Sequence, residues 1–579
     1  MTISETLRIW ACPLIVCGIF GGQASAQGSK ESGEADLVVK ATVRTCDPAM
    51  SEAQAIAIKD GRYAFVGLEQ DVAGWIGPST QVIKLPESTL TPGFFDSHLH
   101  FLGLGEALQN LDLSDCQSWA EVIELVKDAA RLQPDGTWIV GRGWHQSKWT
   151  SLPTESVEGY PVHNLMSEAT PKHPVVLTHA SGHALFANRM AMNMAGVTAD
   201  TSDPAGGEIL RNAIGEPVGV FRENAQGLIR RAQQRSSQKL DAAATIEQML
   251  RQIELADAEC LKHGITSVHD AGSSFRTADY FRQFSEEGKL PVRVTMMIRT
   301  SAEELRAKMP GHRWVEVGDS TFTVRSVKIS ADGALGPHGA WLLGPYSDLP
   351  SKTGLNTVPM DTVREIAVLC KQQQGQLCVH AIGDRANREV LDIYEEVLGD
   401  AVGSDHRWRI EHAQHLSLAD IPRFGRLGVI PAMQANHCTS DAIFVPTRLG
   451  ERRSAEGAYV WRSLIDSGAI IPNGTDAPVE RVDPRASLFA SVTRQLKNGV
   501  AFYPEQCMTR NEMLWSYTLW PARAAFHEES IGSIEVGKLA DFVAWDTDLL
   551  TCDPESLLKA QVEHVWIKGA KVYSGKGSK

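Results

Sequence analysis

Basic residues are the first shortage: 56 Lys and Arg against 70 Asp and Glu leave a net charge of −14 over 579 residues. That balance argues against nucleic acid or an anionic membrane surface as the main partner, since both repel an acidic protein. Cysteine is scarce too. Ten are present, eight of them beyond residue 26, and no pair has the C-x-x-C spacing. A thiolate zinc site and a disulfide-dense scaffold are therefore not expected, and the thiols read as small buried apolar residues. The apolar run at the start, 9–20, is too short to span a bilayer comfortably. It follows Arg8 and precedes Ala24-Ser25-Ala26, small at both positions of a cleavage site. Residues 1–26 read as a secretory signal peptide, with a periplasmic or secreted bacterial location and no stable membrane insertion after cleavage. What remains is 43% hydrophobic and 22% charged, an ordinary globular composition long enough for a large body and a smaller unit.

Short alternating runs at 36–40, 55–58, 63–67 and 81–84, with Asp60-Gly61 as a hairpin signal, predict a β unit over 27–90. A matching set at 540–545, 562–567 and 571–573 falls within 526–579. Neither buries a core alone, so the two ends are expected to pack as one small β-sandwich.

Between them, strand-like runs alternate with helical ones: 94–100, 264–270, 292–298, 324–329, 376–380, 408–412, 429–434 and 469–474. Stretches 361–373 and 386–397 have helical patterning. Eight such units predict an α/β fold, a (β/α)8 TIM barrel over 91–525 with its active site at the C-terminal strand ends. The interval 104–261 is too long for one crossover and reads as an inserted subdomain after strand one, beside the barrel mouth.

The polar residues closing these strands carry the chemistry. Strand one ends in Asp96-Ser-His98-Leu-His100. Side chains at i and i+2 of a strand share a face, so the two imidazoles point one way, about 7 Å apart along the backbone. That makes half a site for a divalent transition metal. Lys328, His380 and His412 end strands four, five and six, and Asp476 follows strand eight. Each alone has a structural explanation, a solvated lysine or a turn aspartate; their convergence on one ring does not.

These motifs, with Pro92-Gly93, Gly141-Arg-Gly-Trp144, His179-Ala-Ser-Gly-His183, Val327-Lys-Ile-Ser-Ala-Asp-Gly333, Val379-His-Ala-Ile-Gly-Asp384, Ile410-Glu-His412 and Gly474-Thr-Asp476, span nearly all the chain beyond residue 26. So does the tail Gly532-Ser-Ile-Glu-Val-Gly-Lys-Leu-Ala-Asp541. The sequence resembles the amidohydrolase superfamily, in particular the amidohydrolase-3 branch that includes N-substituted formamide deformylases and YtcJ-like proteins. The resemblance implies His98, His100 and Asp476 on one metal, His380 and His412 on a second, and Lys328 bridging them as an N-carboxylated lysine. Zinc is the expected metal for an imidazole-rich, thiolate-free set, with manganese, iron and cobalt left open. Asp476 is also the expected general acid and base of a metal-assisted hydrolysis. Trp144, His183 and His338 are candidate substrate-binding residues, and His145, His179 and His437 further pocket candidates. Asp96 is expected to fix strand-one geometry, and His269-Asp270 not to ligate.

The function expected is hydrolysis of a non-peptide C–N bond in a small amide, N-acyl or N-formyl compound. The same site leaves open deamination and carbamate or dipeptide-like hydrolysis. A non-catalytic exported binding or regulatory protein is the reading from another class, and an intact ligand set opposes it. Whether the protein is a homo-oligomer is left open.

Overall fold

The computed structural model describes residues 33–237, 242–401 and 403–575; the signal-peptide reading lies outside them. Phe94–Leu99 is buried at every position, as a strand enclosed on both faces must be. Parallel neighbours follow in chain order: Ile265–Ser273, Arg293–Ile298, Phe322–Ser330, Gln376–Ala381, Arg409–His412 and Ile430–Ala432. Helices such as Met360–Gln372 and Asp384–Leu398 lie between consecutive strands and bury one face, in the latter Val390, Leu391, Tyr394 and Leu398.

The eighth strand, expected over 469–474, does not form as a regular element. Its place is taken by the segment 471–476, which bridges both neighbours. Met433 donates to Pro472 O and Gly474 to Met433 O, while Ser97 donates to Asn473 O and Asp476 to His98 O at 2.7 Å. Pro472 has no N–H to give, which thins the ladder here. Asp96 supplies a second closure, accepting from Thr475 Oγ1 at 2.6 Å and from the Thr475 and His98 amides. The barrel is therefore latched at its seam by Asp96, two residues before His98. Burial pushes the Asp96 carboxyl up to about 7 against the pull of these hydrogen bonds.

The insertion carries its own mixed six-stranded sheet, built from strands between Leu111 and Glu223, with aromatic and aliphatic side chains packed on it. The chain leaves the barrel through helix Phe101–Ala107 and returns through Ala242–Lys262. The two helices touch at Gly105, where a Cβ would lie 2.0 Å from Gln252 O. Gly105→Ala is expected to push them apart and destabilise the protein by about 1–3 kcal/mol, measured by denaturant unfolding. An unchanged midpoint would show the contact to be slack.

Strands from the two chain ends do meet, but in one seven-stranded sheet instead of two stacked ones. The long strand Gln81–Pro92 joins Leu37–Arg44 to Phe542–Trp545. The sheet curls back on itself, with Tyr63 on its edge strand bonded to Lys538 and Gly537. The enclosed face holds Val39, Ile56, Leu90, Phe542 and Trp566, so one curled sheet achieves the sandwich-like core.

Candidate metal centre

The C-terminal strand ends open into a cavity of about 650 Å³, lined among others by His98, His100, Lys328, His380, His412 and Asp476. The six groups singled out in the sequence are thus brought to one place. His98, His412 and Asp476 present donor atoms within 4.8 Å of one another. Asp476 Oδ1 lies 3.6 Å from His98 Nε2 and 3.4 Å from His100 Nε2. Lys328 Nζ is 3.5 Å from His98 Nε2, and the His380 and His412 rings are 4.5 Å apart. Two buried atoms, Asp476 Oδ1 and His380 Nε2, have no hydrogen-bond partner. Leaving buried polar atoms unpaired costs about 1–3 kcal/mol each. The converging donor atoms of His98, His412 and Asp476, with an unpaired oxygen on Asp476, fit a divalent cation.

The backbone pays for this aim. His412 and Asp476 have φ of +76° and +56°, a region non-glycine residues rarely occupy, at about 1–3 kcal/mol each. The turn at His412 breaks the strand alternation of Arg409–His412, so that its ring joins the cavity while Arg409 and Glu411 stay fully buried.

Those two residues were not legible as site residues, yet they set the orientation of His98. Its Nδ1 meets Glu411 Oε2 in a short contact. Arg409 grips the same carboxylate with Nε at 2.7 Å and Nη2 at 2.9 Å, and also donates to Ser97 O. A carboxylate on Nδ1 holds the proton there and leaves Nε2 for a metal. Gln434 Oε1 does the same for His412 Nδ1 at 2.7 Å. Asp332 accepts from the Ile382, Gly383 and Trp341 amides and lies 3.5 Å from His380 Nε2. The only sequence signals were Arg409-x-Glu411 on one strand face and Asp332 four residues after the lysine.

Burial holds the His98 and His380 imidazoles well below their ordinary pKa, in the neutral form a metal needs. It lowers the Lys328 amine to about 8. Burial alone would raise Asp476, but the neighbouring His100, His98 and His412 outweigh it and hold the carboxyl well below its usual range.

Of the substrate-binding candidates, His183 lines the cavity, its ring 4.9 Å from His380 and its Nδ1 2.7 Å from Glu223 Oε2. Trp144 does not. Register along the insertion strands runs Thr178 to Arg142 and then His179 to Trp144, a bulge at Gly143 with φ +107°. The extra residue turns Trp144 into the insertion core, where its indole donates to Leu177 O, and leaves Arg142 at the cavity. His338 is also absent from the cavity wall: it packs on Tyr346 and contacts Asp348 at 3.2 Å. His179 pairs with Gln146 and Ser181. His145 and His437 line a small side pocket that shares His380, His412 and Asp476 with the cavity. His269 binds Arg409 and does not line the cavity. The eight described cysteines are all free.

The model of the amidohydrolase family matches residues 81–573. A putative amidohydrolase, YtcJ, of Bacillus subtilis is 31% identical over 534 residues, covering 90% of this chain and 96% of that protein. An N-substituted formamide deformylase of Arthrobacter pascens is 28% identical, covering 94% and 99%. Among solved structures, an uncharacterised metal-dependent hydrolase of Pyrococcus horikoshii OT3 superposes with a TM-score of 0.70 at 25% identity, covering 90% of this chain and 99% of that one.

Proposed function

This chain belongs to the amidohydrolase family and is a metal-dependent hydrolase, and on that premise we propose that it cleaves an amide, N-acyl or N-formyl C–N bond in a small molecule. The carrying observation is the meeting of six potential ligands at one cavity, with donor atoms of His98, His412 and Asp476 within 4.8 Å of one another. The deformylase relative supports the bond class.

His98, His100, His380, His412, Asp476 and Lys328 would hold the metal, zinc being the best match to the donor set. When bound, a divalent ion supplies an acidified water and a Lewis acid for the scissile carbonyl. Asp476, kept ionised by its histidine neighbours, accepts a proton from the attacking water and returns it to the leaving nitrogen. Glu411 and Gln434 hold the two imidazoles in the ligating tautomer. Lys328 completes the proposal as a carbamate. Burial lowers its amine to about 8, which favours the neutral form, and the neutral amine adds CO2 with loss of a proton. The product exchanges a cation for two oxygen donors beside His98.

Purified protein is expected to contain about one or two divalent ions per chain by elemental analysis. Chelation should abolish release of amines from a panel of N-formyl and N-acyl compounds, and zinc should restore it. Equal turnover of the metal-free protein, or none across the panel with metal bound, would overturn the proposal.

A further inference from the structure

Two arginines stand on the insertion side of the cavity without a carboxylate partner among the described residues. Arg142 donates Nε to Pro478 O at 2.8 Å and Nη2 to Ala180 O at 3.2 Å. Arg230, on helix Gln226–Ser237, uses a single N–H, from Nη2 to Thr178 Oγ1 at 2.8 Å. Thr178 sits opposite Arg142 in the parallel strand pair, which puts the two guanidinium groups on the same wall. Both line the cavity.

Several buried arginines elsewhere do have carboxylate partners, whereas Arg299, also on the cavity, donates its side chain to Ser330 Oγ. Arg293 has Asp541, Arg407 has Glu528, Arg409 has Glu411, and Arg222 has Glu158 and Glu208. Arg494 lacks a carboxylate, but two backbone carbonyls and two aromatic rings enclose it. Arg142 likewise has two backbone carbonyls but not the rings, and Arg230 has neither among the described residues. Glu106 on the same wall attracts both from a distance, yet forms no ion pair with either among the described residues. Burial, opposed by Asp476 and reinforced by Arg230, lowers the Arg142 guanidinium to about 10. Two half-buried cations on one wall repel one another unless an anion joins them. A planar fork with unspent N–H groups is the geometry that takes a carboxylate in two parallel hydrogen bonds.

Position fixes where that anion sits. Arg142 is tied to the carbonyl of Pro478, two residues beyond Asp476. A ligand held there lies beside the ligand cluster, not at the outer rim. We propose that the substrate is a carboxylate-bearing amide, its carboxylate a few bonds from the scissile C–N bond and clamped by Arg142 and Arg230. The proposal rests on the hydrolase reading and narrows its substrate class.

The test compares N-formyl and N-acetyl amino acids with their uncharged N-methylamides, using the metal-loaded full chain. The free acids are expected to have kcat/KM about 100-fold higher, the size of a lost charge-assisted pair. Arg230→Gln is expected to remove most of that preference through KM, and Arg230→Lys, which keeps the charge without the fork, to restore part of it. Thermal unfolding of each variant shows whether the fold is kept. Equal kcat/KM for acid and methylamide in the wild type, or an unchanged preference in both Arg230→Gln and Arg142→Gln, overturns the clamp. If nothing is hydrolysed, the hydrolase reading fails separately, and calorimetry with N-acetylglycine decides the clamp. Binding weakened at least about tenfold by Arg230→Gln supports it; equal binding by both proteins overturns it.

Discussion

Asp476→Asn is expected to lower kcat by on the order of 10² to 10⁴ while leaving the fold in place, a barrier increase of about 3–5 kcal/mol. Asparagine has nearly the same shape and tolerates the left-handed backbone at this position, φ +56°. It keeps the hydrogen bond donated by the backbone N–H of residue 476 to His98 O that helps close the barrel. What it lacks is a basic oxygen for the proton of the attacking water. Steady-state kinetics on any accepted substrate, with circular dichroism as the control for folding, checks this. Wild-type turnover in the variant would remove Asp476 from the mechanism.

Glu411→Gln is expected to produce the second large effect without replacing a proposed ligand. Glu411 and Arg409 are both fully buried, and the guanidinium grips the carboxylate with two nitrogens. Neutralising one member leaves the other charge uncompensated, at about 3–5 kcal/mol of folding stability. The variant also loses the carboxylate that keeps the His98 proton on Nδ1, so zinc affinity should fall about 10- to 100-fold. Denaturant unfolding and competitive zinc titration measure the two losses independently. Unchanged zinc affinity in a folded variant would make the Glu411–Arg409 pair purely structural.

The barrel was legible because short strand-like runs alternate with helical stretches, and several of those runs close on a polar residue, as 376–380 closes on His380. The seam was not. Around Pro472 the chain closes the barrel with one isolated bridge at Asn473, single hydrogen bonds and the Asp96 latch, contacts with no periodicity to read. His98-Leu-His100 was a weak signal that gained meaning from residues more than 200 positions away. Gly-Arg-Gly-Trp misled, because the bulge at Gly143 reverses which side chain meets the cavity: Trp144 goes to the core and Arg142 to the wall. Glu411 escaped notice since a buried acid beside an arginine on a strand reads as a structural pair. Only the placement of His98 Nδ1 against it shows a link to the metal centre.

The central claim is that the strand ends hold a divalent metal where His98, His412 and Asp476 converge. Anomalous difference density recorded at the zinc edge from zinc-loaded crystals tests it most directly. The account predicts a peak between those three side chains, with Lys328 and His380 beside it. A zinc peak elsewhere, with this cluster occupied only by water, would contradict it.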